Sequence, residues 1–159
     1  MQDLVLVVTA ELQRYADKGT FTNFGIIENT SAKSVEFKFH WLAQRPFSLI
    51  LKPEKKQLVL NELLPAVPYR SEMDTAFREF IVQRCSPDIP AHRRLDDKKL
   101  SFRCQNQSQN LSVTIDFKPK DTVLAATTAV NLIHEVFNNF LIEGPYQNYM
   151  VEVFHVSEE

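Results

Sequence analysis

The chain has 159 residues, 44% of them apolar and 24% charged, and its formal net charge is −2 at pH 7. This length suits one domain with a core of its own, so we expect a single domain over residues 1–159. The charge argues against a dedicated nucleic-acid binder, because such proteins need an excess of Lys and Arg to displace counterions. The longest wholly apolar run, Leu4–Val8, is far shorter than the ~20 residues of a membrane span.

The N-terminus and the cysteines predict a cytoplasmic protein. Asp3 stands where a signal peptide carries positive charge. Cys85 and Cys104 fit no CxxC spacing, and a reduced pair is the simpler interpretation, although one disulfide also fits the count. The three glycines lie too far apart to form a phosphate-cradling loop, so we expect no nucleotide cofactor.

The first predicted helix covers residues about 3–18. Val5, Val8, Leu12 and Tyr15 recur on one face of a 3.6-residue period, and Gly19 supplies the stop. The run LVLVV also fits a strand, so the start of this helix is ambiguous.

Strand patterns follow the first helix. NFGIIEN is a weak strand, whereas SVEFKFHW alternates apolar and polar residues and predicts a half-buried strand. FSLILK and QLVLNEL come next, joined by a turn at 53–56. The apolar alternates of the strongest strand are Val35, Phe37, Phe39 and Trp41, and the polar ones are Glu36, Lys38 and His40.

The second half adds two helices and a hairpin. Ser71 and Asp74 form a capping signature before a helix that ends near Cys85. Two alternating segments joined by NQSQN predict the hairpin, and a third helix begins near Asp121 and ends at Gly144. We therefore predict an α+β fold, with three helices and an antiparallel sheet of five or six strands, in the order α-β-β-β-(β)-α-β-β-α.

The tetrad His134–Phe137 opens like the zinc-protease motif H-E-x-x-H, but Asn138 stands where the second histidine belongs. On a helical wheel His134 falls at the edge of the apolar arc, and Glu135 falls on the polar side with Asn131 and Asn139. We expect a boundary histidine, no metal and no catalytic residue here.

Two further features have a structural and a functional interpretation. Arg93 and Arg94 could hold a phosphate or carboxylate, but Asp96 and Asp97 follow them, which favours a solvated loop. Cys104 alternates in phase with Leu100 and Phe102, so we expect a buried and unreactive thiol.

The segments PAHRRLDDKKLSFRCQNQSQNLSVTI and AVNLIHEVFNNFLIEGPYQNYMVEVF resemble bacterial YbjN-type proteins, with an HRR loop, a VNLxHExFxxFL helix and a GPYxxYMVExF tail. This resemblance covers residues 75–154, and the element order of the chain is similar to that of type III secretion chaperones. The resemblance implies a small cytoplasmic bacterial protein, often a homodimer, that binds a partner polypeptide and carries no transferable catalytic motif.

The sequence thus favours a non-enzymatic protein- or peptide-binding module. The apolar stripe of the strongest strand is either ordinary core or sheet that the helices leave uncovered for a partner. The candidate partner surface comprises Phe37, Phe39, Trp41, Arg93, Arg94, Tyr146 and Tyr149. The alternatives are a small-molecule or lipid cup between sheet and helices, and an enzyme whose dispersed site gathers His134, His40 or His92 with a carboxylate.

Overall fold

The computed structural model describes residues 4–29, 31, 33–41, 45–91, 94–142 and 149. Its helices are α1 (Leu4–Asp17), α2 (Glu72–Gln83) and α3 (Thr122–Glu135), and Val136–Ile142 continues α3 with wider, π-type turns. Its strands are β1 (Thr22–Asn29), β2 (Ser34–Trp41), β3 (Arg45–Lys52), β4 (Gln57–Leu64), β5 (Ser101–Gln107) and β6 (Asn110–Asp116). The predicted α+β class and element order are confirmed. No helix in these ranges is long and apolar enough to cross a membrane.

All six strands belong to one antiparallel sheet with the order β1-β2-β3-β4-β6-β5. The hairpin β5–β6 joins the sheet through β6, which pairs with β4, so β1 and β5 form the two edges. The turn between β5 and β6 is tighter than the predicted NQSQN connection. Only Ser108 and Gln109 form it, with φ of 52° and 67°, the positive values that a two-residue type I′ turn requires.

The three helices cover one face of the sheet. The helix α3 packs on β4, α1 packs on α3 and β1, and α2 packs on β5. The inward side chains of the central strands share one core cluster with the buried faces of the helices. We call the side of the sheet opposite these helices the open face.

The expectation that Phe37 and Phe39 lie on an exposed partner surface is wrong. Both side chains are fully buried beneath the helix layer. Phe39 stacks on Phe21, with 4.3 Å between ring centroids. The alternation of β2 identified the buried face correctly, but α1 and α3 together cover more of that face than their separate stripes suggested.

Burial of Glu135 is the main departure from the predicted helical wheel. Glu135 is only 7% exposed and accepts hydrogen bonds from the guanidinium of Arg84 and from the side-chain amide of Asn139. The helical-wheel prediction held that one arc of α3 is buried and the rest exposed. In the structure α3 lies between the sheet, α1 and the C-terminal end of α2. Its more polar side is therefore also covered, and Thr128 is buried there too.

A buried carboxylate ties α2 to the edge strand β5. The predicted cap is confirmed, because the hydroxyl of Ser71 accepts from the backbone N–H of Asp74 at 3.2 Å. The Asp74 carboxylate accepts from the Asn106 amide at 3.1 Å, from the backbone N–H of Arg70 at 3.1 Å and from Arg78 Nε at 3.4 Å. Burial works against ionisation of Asp74, but these donors outweigh it and lower its pKa.

The lowered pKa of Asp74 makes stability depend on pH. Ionised Asp74 stabilises the folded chain above its unfolded pKa of about 3.9, and this contribution is lost as the pH falls from there through the lower folded pKa. We expect Asp74→Asn to lower the free energy of unfolding by about 1–3 kcal/mol at pH 7. In urea titrations the difference from the parent should shrink at pH 3 and below. The exposed Asp88→Asn serves as control, and a pH-independent Asp74→Asn difference would contradict this role.

Candidate functional site

Those of the predicted partner residues that the structure describes do not gather on one surface. Arg93, Tyr146 and the side chain of Trp41 lie outside the part of the chain that the structure describes. Arg94 is exposed, but its guanidinium donates to the carbonyl oxygens of Ile89 and Pro87 at 2.8–3.0 Å. These hydrogen bonds stabilise the loop that contains Arg94. The Tyr149 hydroxyl donates to the Pro65 carbonyl at 2.5 Å, which holds the chain near its C-terminus against the segment after β4.

The histidines do not converge within the described ranges. His134 is exposed on α3, in the helix layer. His40 lies on the open face of β2, where its Nδ1 is 3.0 Å from the Asn23 side-chain amide. The sheet separates the two, and among the residues described no group of three or more His, Cys, Asp or Glu side chains could hold a metal ion. His92 and His155 lie outside the described residues.

Cys104 occupies the predicted face of β5 but is half-buried, because this strand is an edge that the helices cover only in part. It lies opposite the fully buried Val113. Burial raises the pKa of the Cys104 thiol to about 11.

We expect Cys104 to react slowly with alkylating reagents. A pKa about two units above that of a free thiol leaves about 100-fold less thiolate at pH 8. In a Cys85→Ser background, where Cys104 is the remaining thiol, labelling should become fast only in denaturant. Equal rates in buffer and in urea would contradict this burial.

Among the strand side chains that the structure describes, the large apolar ones that are exposed both lie on the edge strand β1. Ile26 and Ile27 are 44% and 51% exposed. Ile26 lies opposite Phe37 and therefore points to the helix side, whereas Ile27 lies opposite Glu36 and points to the open face. The two adjacent isoleucines thus present apolar surface on both sides of the same edge.

Among the strands that the structure describes, none pairs with the outer side of β1, so its backbone can accept a further strand. An edge strand directs the N–H and C=O groups of every second residue away from its neighbour, where they can pair with another chain. A bulge lies between Thr22 and Gly25, with Asn23 at φ 54°, so regular pairing runs from Gly25 to Asn29. Gly25 lies opposite Lys38 on the open face, and a Cβ added to it would meet no atom within 4 Å there.

The two edges of the sheet differ in chemistry. Natural edge strands are usually protected by charged side chains, by Pro or by β-bulges, and the bulge of β1 protects its Thr22–Gly25 end in this way. The strand β1 contains no Lys, Arg or Pro, and Glu28 is its single ionisable residue. On β5, by contrast, the open-face side chains are Ser101, Arg103, Gln105 and Gln107, all of them polar.

The edge position of β1 could not be recognised from the sequence because strand order is not encoded locally. NFGIIEN gave a weak strand signal, and nothing in it indicated that one side would stay unpaired. The usable signal was the pair Ile26–Ile27 in a segment without any Lys, Arg or Pro.

No protein-family model, no curated protein and no solved structure matches this chain, so the resemblance to YbjN-type proteins stays a prediction.

Proposed function

We propose that the protein is a non-enzymatic, cytoplasmic binding module that holds an extended segment of a partner polypeptide along β1. The observation that carries this proposal is the outer edge of β1 from Gly25 to Asn29, which pairs with no described strand, contains no Lys, Arg or Pro, and exposes Ile26 and Ile27 on its two sides. Such an edge is a template on which a seventh strand can form.

Main-chain hydrogen bonds would supply part of the affinity, and alternate side chains of the partner would supply the specificity. On the helix side the partner meets Ile26 and the partly buried Phe24, and on the open face it meets Ile27. Glu28 is exposed and makes no ion pair with any residue in the described ranges. The best occupant is therefore an extended segment with alternating apolar residues and one Lys or Arg opposite Glu28.

The packing between sheet and helices favours a peptide over the alternative of a small-molecule cup. Phe37, Phe39 and Phe77 are fully buried there and fill the space that such a cup would need. The enzyme alternative requires His134, His40 or His92 to lie beside a carboxylate in one cleft. His40 instead contacts the Asn23 side-chain amide, and His92 lies outside the described residues.

Selection from a displayed library of random 12-residue peptides tests the proposal. Selected peptides are measured against the parent, against Ile27→Lys and against Val123→Lys, a matched control because Val123 is 50% exposed on α3. Loss of the apolar contact should weaken binding to Ile27→Lys by about tenfold or more and leave Val123→Lys close to the parent. Equal binding by all three proteins would contradict the proposal.

A second copy of the chain is the competing occupant of β1, and analytical ultracentrifugation separates the two cases. A peptide site predicts that the parent stays monomeric at micromolar concentration and still binds the selected peptides. A stable dimer that Ile27→Lys dissociates, and that no selected peptide displaces, would assign β1 to self-association instead.

A further inference from the structure

The open face carries a second feature, a concavity of about 370 Å³ over β3, β4, β6 and β5. Its floor is formed by Val59 and Thr114, which lie opposite each other on β4 and β6. Both residues are buried although they lie on the side without helices, so the longer side chains around them form walls. We call this feature the polar concavity.

Three of the side chains that line the polar concavity are positively charged. Lys52, Lys55 and Arg103 contribute to its lining, and no Asp or Glu does. Arg103 is bound to the neighbouring Asp116, with Nε–Oδ2 and Nη2–Oδ1 distances of 2.9 and 3.3 Å. Lys52 and Lys55 have no ion-pair partner among the described residues, so the concavity is locally positive in a chain whose net charge is −2.

The neutral side chains of the wall add hydrogen-bond donors. Gln105 uses its Oε1 to accept from the Thr114 hydroxyl at 3.2 Å, which leaves its NH₂ group available. The side chains of Asn61 and Gln107 have no hydrogen-bond partner within the ranges that the structure describes. Ammonium groups and amide NH₂ groups together match a ligand that is rich in acceptors.

We propose that the polar concavity binds a small organic anion that bears carboxylate or phosphate groups. The volume lies within the usual range of small-molecule sites. Lys52 and Lys55 bind the anionic groups, and Asn61, Gln105 and Gln107 donate to its other oxygen atoms. No residue of β1 contributes, so this site is separate from the proposed peptide edge.

Titration with citrate and with inorganic phosphate, followed by ¹H–¹⁵N NMR of the full chain, tests this site. Citrate should shift the amide signals of Val59, Thr114 and Asn61 and saturate, and phosphate should act at the same residues more weakly. The double variant Lys52→Gln/Lys55→Gln should weaken citrate binding by about tenfold or more.

The double variant Lys38→Gln/Lys118→Gln is the matched control. It removes the same charge, from Lys38 beside Glu36 on the open face and from the exposed Lys118, and should bind citrate within about twofold of the parent. Equal weakening by both double variants would show unspecific attraction and overturn the proposal.

Asn61→Leu separates shape from charge, because it removes an amide from the wall and leaves the net charge unchanged. We expect it to weaken citrate binding by about tenfold, whereas unchanged binding would overturn the assignment of the wall.

A hexaglutamate peptide distinguishes a small anion from an acidic polypeptide as the ligand. Binding of this peptide more tightly than citrate, with shifts extending to β2, would assign the face to acidic polypeptides and overturn the proposal of a small anion. Ile27→Lys should bind citrate like the parent, so failure of the peptide proposal leaves this result intact.

Discussion

Replacement of Phe39 by Asp is expected to unfold the protein. Phe39 is fully buried, stacks on Phe21 and lies 6.3 Å from Phe47 between ring centroids. Loss of the ring alone costs about 3–5 kcal/mol, and an unpaired buried carboxylate adds a desolvation penalty of several kcal/mol more. The sum reaches the whole stability of an ordinary domain, about 5–15 kcal/mol.

Circular dichroism and urea titration measure this effect. Lys38→Asp is the control, since Lys38 is the adjacent residue of β2, is exposed on the open face and pairs with Glu36. That variant should stay folded and lose less than about 1 kcal/mol. A folded Phe39→Asp protein with near-parental stability would place Phe39 on an outer surface and reverse the assignment of the two sheet faces.

Removal of the Glu135 carboxylate is expected to have the second largest effect. Arg84 and Glu135 are both nearly buried, and the Arg84 guanidinium also lies over the Phe80 ring at 5.3 Å. Glu135→Leu leaves the guanidinium without its counter-charge in an apolar site, and we expect a loss of about 3–5 kcal/mol in the free energy of unfolding.

A double variant tests whether the loss of stability in Glu135→Leu comes from the unpaired charge of Arg84 or from lost packing. Arg84→Met/Glu135→Leu replaces both charges by apolar groups and should recover most of the loss, because the cost of the single variant is an unpaired buried charge. Glu54→Leu is the control, since its pair with Lys33 is exposed and contributes at most about 1 kcal/mol. A double variant as unstable as Glu135→Leu alone would mean that Glu135 acts through packing instead of charge.

Features that depend on local periodicity could be predicted from the sequence. The alternation of SVEFKFHW identified which side of β2 is buried, and the S-x-x-D signature placed the start of α2 at Ser71. Both depend on interactions within a few residues of the chain, so a single sequence carries enough information for them.

Features that depend on neighbours in space could not be predicted in the same way. Glu135 is buried because the C-terminal end of α2 supplies Arg84 from 51 residues earlier in the chain. The strand β1 is an edge because the β5–β6 hairpin joins the sheet at β4 and not at β1. The polar concavity brings together residues of four strands, and none of these residues belongs to a recognisable motif.

Amide hydrogen exchange on β1 is the most direct test of the proposed peptide edge. The parent is measured by mass spectrometry with and without a saturating peptide from the display selection, and Ile27→Lys is measured in parallel. The proposal predicts that the peptide slows exchange in residues 22–29 of the parent and slows it less in the variant at the same peptide concentration, because a new strand pairs with the outward N–H groups. Protection confined to the open face over β4–β6, or to α2, with unchanged exchange in β1, would contradict it.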